Sequence, residues 1–531
     1  MYAWIKAKNM KNTHKANSHV YKQRLYRGHV AMGIICSLLL YNSLFFGLYA
    51  IFMPYIRVWE KPSRHFPTME ITEINYEPML EEALSDPNLS GEEILLDLPG
   101  AGEDPALQIS QRHSPKIVFN PITQKRIKDE GGSSNLAMFL NGMHYGRPLK
   151  KLGTTIFGLV AAGVLFLIIG GLILISVLDF KGSKKSNRNI FSFWHRKLLL
   201  WGSAPLLIIV LCATVMGLSF VGSGPLVYLT THGEKTNIRP LILPVLFPKD
   251  KPIPKLNEPV PMLPLKELIK KAQKVNSNIN FQKLTLINWG DKSAKIKLEG
   301  YNPYVPFLNG VSNKPSIVLN GYDGNLIKQS KVMDRPWGVL LTDSVYFLHL
   351  LFGVDIFTRS LVFLLMLGCC TGIALGVMLW LEKKKKYFGK NIPFYHWVSK
   401  LSLAFMIGVI PATGILLNLQ WLLPFDMKDR LIWQQGLFFD FWIAAFAWSF
   451  YRIHSKIAAM ELLTLGGFLY FIVPVIYCIQ NRSTPMEMIH NDMLTIFIVN
   501  LAFATLGVIF LRVAYVLSKT ISQTKTLTFG R

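Results

Sequence analysis

Residues 153–178 read GTTIFGLVAAGVLFLIIGGLILISVL, a run with no charged residue. An α-helix rises about 1.5 Å per residue, so about 20 apolar residues cross the roughly 30 Å hydrocarbon core of a bilayer. This run is longer than that, and it is not the only one. Apolar stretches recur at Ala31–Met53, Gly153–Leu178, Leu198–Phe220 and Ser360–Leu381, then at Val398–Leu417, Leu431–Phe450, Ala458–Cys478 and Asp492–Val516. The reading is a polytopic α-helical membrane protein with about eight transmembrane helices. Gln434, Gln435 and Asp440 interrupt the sixth stretch, which makes it the weakest of the set.

The whole chain agrees. Of its 531 residues 51% are hydrophobic and only 17% charged, too few charges for a soluble protein of this size. The net charge of +25 suggests nucleic acid at first sight. Its distribution argues otherwise, because the excess sits in short segments beside the spans. The leader Met1–Gly28 has seven basic and no acidic residues, Asp179–Lys197 has six basic and one acidic, and four lysines follow Glu382. Basic segments mark the cytoplasmic face, so both termini are expected there, and no nucleic-acid partner is expected. The five cysteines all fall inside apolar runs, which excludes a disulfide framework in the water-facing parts.

The chain then divides into a basic leader (1–30), a first span (31–53), a first outer domain (54–151), two spans with their loop (152–220), a second outer domain (221–345), a fourth span with its basic end (346–386) and a C-terminal module of about four helices (387–531). The outer segments mix Pro, Gly and Asn with short strand-like runs, and Pro264–Val275 has helical spacing. Two small α+β domains are expected on the face opposite the basic loops. The stretch Glu70–Asp104, with eleven acidic residues and no Lys or Arg, fits that face.

An internal repeat organises the first two thirds of the chain. Spans one and two bracket the first outer domain, and spans three and four the second. Each pair opens with a basic aromatic stretch and a histidine, Tyr26-Arg27-Gly28-His29 and Phe193-Trp194-His195-Arg196. Each second span follows a similar element, Phe139 to Gly146 and Phe347 to Gly353. The outer domains end alike, with Asn120-Pro121-Ile122-Thr123-Gln124 and Asn320-Gly321-Tyr322-Asp323-Gly324.

Four of the twelve histidines occupy matching places in this repeat. His29 and His195 stand at the basic ends of spans one and three, and His144 and His349 near the opposite ends of spans two and four. Neutral imidazole is an axial ligand for haem iron, and facing helices can each supply one. A gap for a macrocycle needs small residues. Span two offers Gly153, Gly158, Gly163, Gly170 and Gly171, and span four Gly368, Gly372 and Gly376. Singly, each histidine is more simply an interfacial side chain, and each glycine a packing device. The repeated pattern favours ligation. His396 and His454 form a further pair on the basic side, better read as solvated. Asp355 and Arg359, four residues apart, could hold a haem propionate, but pairing with each other is the simpler expectation. Phe193, Trp194 and Trp201 read by default as an interfacial belt. No nucleotide, flavin or zinc motif is present, so an electron-transfer protein of this kind needs a separate electron donor.

The order Leu25-Tyr26-Arg27-Gly28-His29-Val30-Ala31-Met32-Gly33, then Phe193-Trp194-His195-Arg196-Lys197, then His349 through Trp380-Leu381 with Thr371-Gly372, resembles the PepSY-associated transmembrane family. The resemblance covers about Lys22 to Lys386. Asn120-Pro121-Ile122-Thr123 stands where PepSY modules carry a strand-ending Asp-Pro-x-Thr-Gly. It implies PepSY-like outer domains in a multi-pass protein of a bacterial inner membrane. It also implies two b haems, with His29, His195, His144 and His349 as axial ligands of the haem iron. The implied activity is that of a ferric-siderophore reductase, passing electrons to ferric siderophore or ferric iron during iron uptake. A non-enzymatic membrane-anchored sensor or interaction protein is the competing expectation. The C-terminal module lies outside the resemblance, although Pro411-Ala412-Thr413-Gly414 is similar to a span-end signature.

Overall fold

The structure, a computed structural model, describes residues 2–87, 89, 93–111, 114–178, 186–238, 240, 244, 253–306, 314–351, 353–390 and 393–529. Residues 179–185 of the second basic segment, residues 88 and 90–92 of the acidic stretch, His113 and Phe352 lie outside them. The first helix, α1 (Tyr2–Ile51), runs through the basic leader into the first span without a break. It is followed by α2 (Met53–Trp59) and α3 (Glu77–Leu84). Four strands then form β1 (Glu93–Asp97), β2 (Leu107–Gln111), β3 (Ile117–Asn120) and β4 (Lys125–Ile127). The chain returns through α4 (Leu136–His144) into α5 (Lys150–Val177).

The second copy repeats this plan. Helices α6 (Asn187–Trp201) and α7 (Ser203–Thr230) lead out, bent by 68° at their break. Helix α8 (Leu265–Val275) precedes β5 (Asn280–Ile287), β6 (Lys295–Tyr301), β7 (Ser316–Asn320) and β8 (Leu326–Ser330). Then come α9 (Trp337–Leu350) and α10 (Ile356–Lys384). The C-terminal module is α11 (Pro393–Met406), α12 (Val409–Leu422), α13 (Arg430–Tyr451), α14 (Ser455–Asn481), α15 (Pro485–His490) and α16 (Leu494–Phe529).

Among the described residues, six helical segments are long and apolar enough to cross a membrane, or seven if the bent pair α6–α7 is one span. This corrects the expectation of eight. The helix absent from that set is α13, where Gln434, Gln435 and Asp440 lower the apolar content. Helices α11 and α12 together form a single span, Tyr395–Leu422.

The two outer segments do not form two separate sheets. Their eight strands build one antiparallel sheet in the order β4-β3-β2-β1-β5-β6-β7-β8. The halves join through their first strands, with Leu96 opposite Leu284 and Ile94 opposite Leu286. Each half is a helix followed by a four-stranded meander, so the repeat in the sequence becomes a near two-fold arrangement about the β1–β5 seam. The alternation of strand residues sends Ile94, Leu96, Leu284, Leu286, Ile296 and Leu298 to one face. There they meet Met79, Leu80 and Ala83 of α3 and Leu265, Leu268, Ile269 and Ala272 of α8 in one continuous core. The spacing of those α8 positions is that of a single helical stripe. The matched turns also agree. Asn120 Oδ1 accepts from the Ile122 N–H and Asn320 Oδ1 from the Tyr322 N–H. Gln124 has φ +56° where the second copy has Gly324 at φ +73°.

The C-terminal module packs on the first copy. The Tyr49 and Tyr470 hydroxyls are hydrogen-bonded, and Trp59 Nε1 donates to Asn500 Oδ1 at 3.1 Å. At the sheet-side end, Gln420 Nε2 donates to the Glu60 carbonyl and to Ser134 Oγ, and Arg430 donates to the Ser133 carbonyl. The Glu60 side chain is 2% exposed and accepts from the Ala137 N–H at 2.8 Å. Burial raises its carboxyl to about 7, against the lowering effect of that N–H and of the neighbouring cations. The sign follows from linkage. An acid with a raised folded-state pKa costs nothing while both states are protonated, and costs more as the unfolded chain ionises first. Stability is therefore expected to fall by about 3 kcal/mol as pH rises from about 4.5 to 7. Glu60→Gln should flatten that slope in thermal unfolding of the detergent-solubilised protein. An unchanged slope in the variant would remove Glu60 as its source.

Candidate functional site

The four patterned histidines come together as two pairs at two levels. His144 ends α4 and His349 lies near the end of α9, the short helices that precede α5 and α10. They stand on helices of their own just before the spans, and α4 folds the His144 imidazole back against α1. The two ring centroids are 5.9 Å apart, with planes inclined by 34°. Two imidazoles gripping one metal from opposite sides, at about 2.0–2.1 Å per nitrogen, have centroids near 6 Å apart. His29 on α1 and His195 on α6 line a common cavity at the other level, with an empty volume of about 1430 Å³ counting its open mouth.

Backbone carbonyls orient three of the four rings. His144 Nδ1 lies 2.7 Å from the Ser43 carbonyl, His195 Nδ1 2.8 Å from the Gly372 carbonyl and His349 Nδ1 3.1 Å from the Ile209 carbonyl. A carbonyl only accepts, so Nδ1 carries the proton and Nε2 keeps its lone pair. This is how a protein commonly fixes a ligating histidine's tautomer and orientation. Ser43 returns the contact, its hydroxyl donating to the His144 carbonyl at 2.9 Å. His29 is the exception. Its Nδ1 is buried without a hydrogen-bond partner among the described residues.

Glycines make room for the rings. A Cβ on Gly376 would lie 2.7 Å from His195 Nδ1 and Cε1, one on Gly47 3.0 Å from His144 Nδ1, and one on Gly171 3.2 Å from His29 Cε1. Other glycines of the pattern serve helix contact. Gly158 packs on Gly217, and Gly153 sits against the Gly146 carbonyl. Gly47 and Ser43, on the first span, were not singled out from the sequence. Only the fold shows that α4 lays His144 across them. Fourteen residues separate His29 from Ser43 on α1, so the two levels are about 21 Å apart along that helix.

Asp355 and Arg359 do not pair. Asp355 caps α10 through the Thr358 N–H and hydroxyl, while Arg359, 6% exposed, donates to the Ile51, Leu351 and Val354 carbonyls. The guanidinium thus ties the end of α1 to the link after His349, where Leu351 closes α9 at φ +54°. His396 and His454 are exposed. Trp194 and Trp201 are exposed, as an interfacial belt requires, and Lys197 lies over the Phe193 and Trp201 rings. His65, outside the repeated pattern, is half-buried between the Tyr477 hydroxyl and the Trp59 carbonyl. Burial holds its imidazole down at about 4. Among the described residues no group of three or more His, Cys, Asp or Glu is arranged to hold a metal ion, so two-histidine pairs are the ligand sets on offer.

Hydropathy, span number and helical packing define a multi-pass membrane protein. The chain belongs to the PepSY-associated transmembrane family, whose model, described as PepSY-associated TM region, matches residues 26–383. That interval runs from the first basic aromatic stretch to Lys383 in the last turn of α10 and contains all four paired histidines. No curated protein matches the chain.

Gly376 gives a direct test of the ring packing. Gly376→Ala forces a methyl into the His195 imidazole and should cost about 1–3 kcal/mol. Gly368→Ala, whose Cβ would meet only Leu198 at 3.8 Å, should be near neutral. Thermal unfolding of both variants checks this, and equal effects would mean that the ring does not rest on Gly376.

Proposed function

We propose that this protein binds two b haems, one at His29–His195 and one at His144–His349, and passes electrons across the membrane to reduce ferric siderophore or ferric iron on the sheet-bearing side. The observation that carries the reading is the repeated pair of imidazoles at two levels, three of them with Nδ1–H spent on a neighbouring carbonyl. Such a ring presents Nε2 as a fixed neutral ligand atom. Haem iron held by two imidazoles changes between ferric and ferrous states and so carries single electrons.

The residues of the chain supply the rest. The Ser43, Gly372 and Ile209 carbonyls set ring orientation, and Gly47, Gly171 and Gly376 leave clearance for the rings. Arg359 fastens the end of the outer pair's segment to α1. The apolar helices exclude water, so charge crosses as electrons where no hydrated ion can go. On the orientation expected from the basic segments, electrons enter from the cytoplasm through a separate donor and leave on the far side. Reduction there would release iron, because Fe(II) is held weakly by hard oxygen chelators.

The detergent-purified protein should show a bis-histidine b-type spectrum on reduction. His195→Ala and His349→Ala should each remove about half of the bound haem, measured by pyridine haemochrome against protein. A colourless protein of full stability, with all four histidines dispensable, would overturn the haem reading. The membrane-anchored sensor would then take its place.

A further inference from the structure

The cavity between His29 and His195 is chemically lopsided. Toward the sheet-bearing side its walls are almost all hydrocarbon, among them Leu40, Val164, Ile168 and Leu206, and the two serines there, Ser37 and Ser203, donate their hydroxyls to the Ile34 and Leu200 carbonyls of their own helices. Its opposite mouth is polar. Tyr26 and Lys383 line it, with Lys383 Nζ donating to Tyr26 Oη at 2.8 Å and lying 5.4 Å from the centre of that ring. Helix geometry fixes where this pair stands. Tyr26 is three residues before His29 on α1, on the same face and about 5 Å further toward the basic end. Lys383 is seven residues after Gly376, on the face of α10 that carries the His195 ring and about 10 Å further along. The two residues therefore meet on the same side of the histidine pair, from different helices.

We propose that Tyr26 and Lys383 form a clasp for the carboxylates of the planar ligand seated between His29 and His195, and so fix which way that ligand points. The inference rests on the haem reading above. A porphyrin such as haem b is apolar except for two carboxylates on one edge. A carboxylate turned toward the hydrocarbon end loses its water with nothing in return, which is costly inside a membrane. Turned toward the mouth, it meets an ammonium with three N–H donors, one of them engaged by Tyr26, and a phenol whose own O–H can donate. The Tyr26 contact also holds the lysine over the cavity, where a lone lysine on a helix end would extend into water. Arg196 lines the same mouth and adds positive charge to it.

A lipid phosphate or free phosphate offers the same oxyanion chemistry, so the test must separate the sources. Full-length apoprotein is titrated with haem and with its dimethyl ester, which has the same ring and no acids. A His144→Ala background reports on the His29–His195 site alone. Binding is read by absorbance. The free acid should bind about tenfold or more tightly than the ester, the size of one charge-assisted hydrogen bond. Lys383→Met should reduce that preference to within about twofold while leaving ester affinity unchanged, and Tyr26→Phe should reduce it partly. Equal affinities in the unsubstituted protein would overturn the clasp and leave the haem reading standing. Failure to bind either porphyrin would overturn the haem reading itself. Loss of the acid preference on adding inorganic phosphate or anionic-lipid vesicles would assign the clasp to those anions and overturn the carboxylate assignment.

Discussion

An imidazole N–H buried among helices must find an acceptor, and the carbonyl of a neighbouring helix is one that needs no polar side chain. Three of the four paired histidines use it, on Ser43, Gly372 and Ile209. Much of the geometry follows from this bond. It pins α4 to α1, α6 to α10 and α9 to α7, in each case a short or bent helix to a long one. It settles the tautomer, and with it which nitrogen remains for a ligand. It also explains the glycines, because a ring reaching another helix's backbone leaves no room for a Cβ under it, as at Gly47 and Gly376. A backbone carbonyl is present whatever side chain its residue carries, so this bond depends on how the helices pack against one another.

The rest of the molecule holds those helices in place from two sides. On the sheet side, the two outer segments share one core across the β1–β5 seam, so the two copies of the repeat cannot separate without exposing Leu96 and Leu284, both fully buried. Laterally, the C-terminal module clamps α1 and α2 through the Tyr49–Tyr470, Trp59–Asn500 and Gln420–Glu60 bonds. Its contacts explain where that module sits although its residues lie beyond the interval matched to the family. The buried Glu60 is the costly element of this joint. Its side chain accepts from the Ala137 N–H, while its backbone carbonyl accepts from Ser134 Oγ and Gln420 Nε2, so the Ser134–Ala137 segment, Gln420 and the end of α2 meet at one point.

Much of the site was legible in the sequence because it is repeated. A lone histidine beside a span says little, but His29 and His195 follow matching aromatic-basic stretches, and His144 and His349 sit in matching elements before the second span of each copy. Repetition marks which positions are equivalent, and equivalent positions end at equal depth. The Asn120 and Asn320 turns were legible for the same reason. The partners were not legible. Ser43 and Gly47 reach His144, and Tyr26 reaches Lys383, across gaps in sequence that no local pattern spans. Asp355 and Arg359 mislead because helical spacing allows a pair. Spacing does not show that an open helix end claims the carboxylate and three carbonyls claim the guanidinium.

By itself, the sequence determined that the chain crosses a membrane several times, that its two copies carry matched histidines, and that its water-facing parts contain strands. These follow from burial of apolar runs and from periodicity, which are local properties. Tertiary structure alone decided that the two outer segments make one sheet, and which carbonyl, glycine or hydroxyl meets each imidazole. Those choices depend on which surfaces meet, and a meeting of surfaces is set by the packing of distant segments against one another.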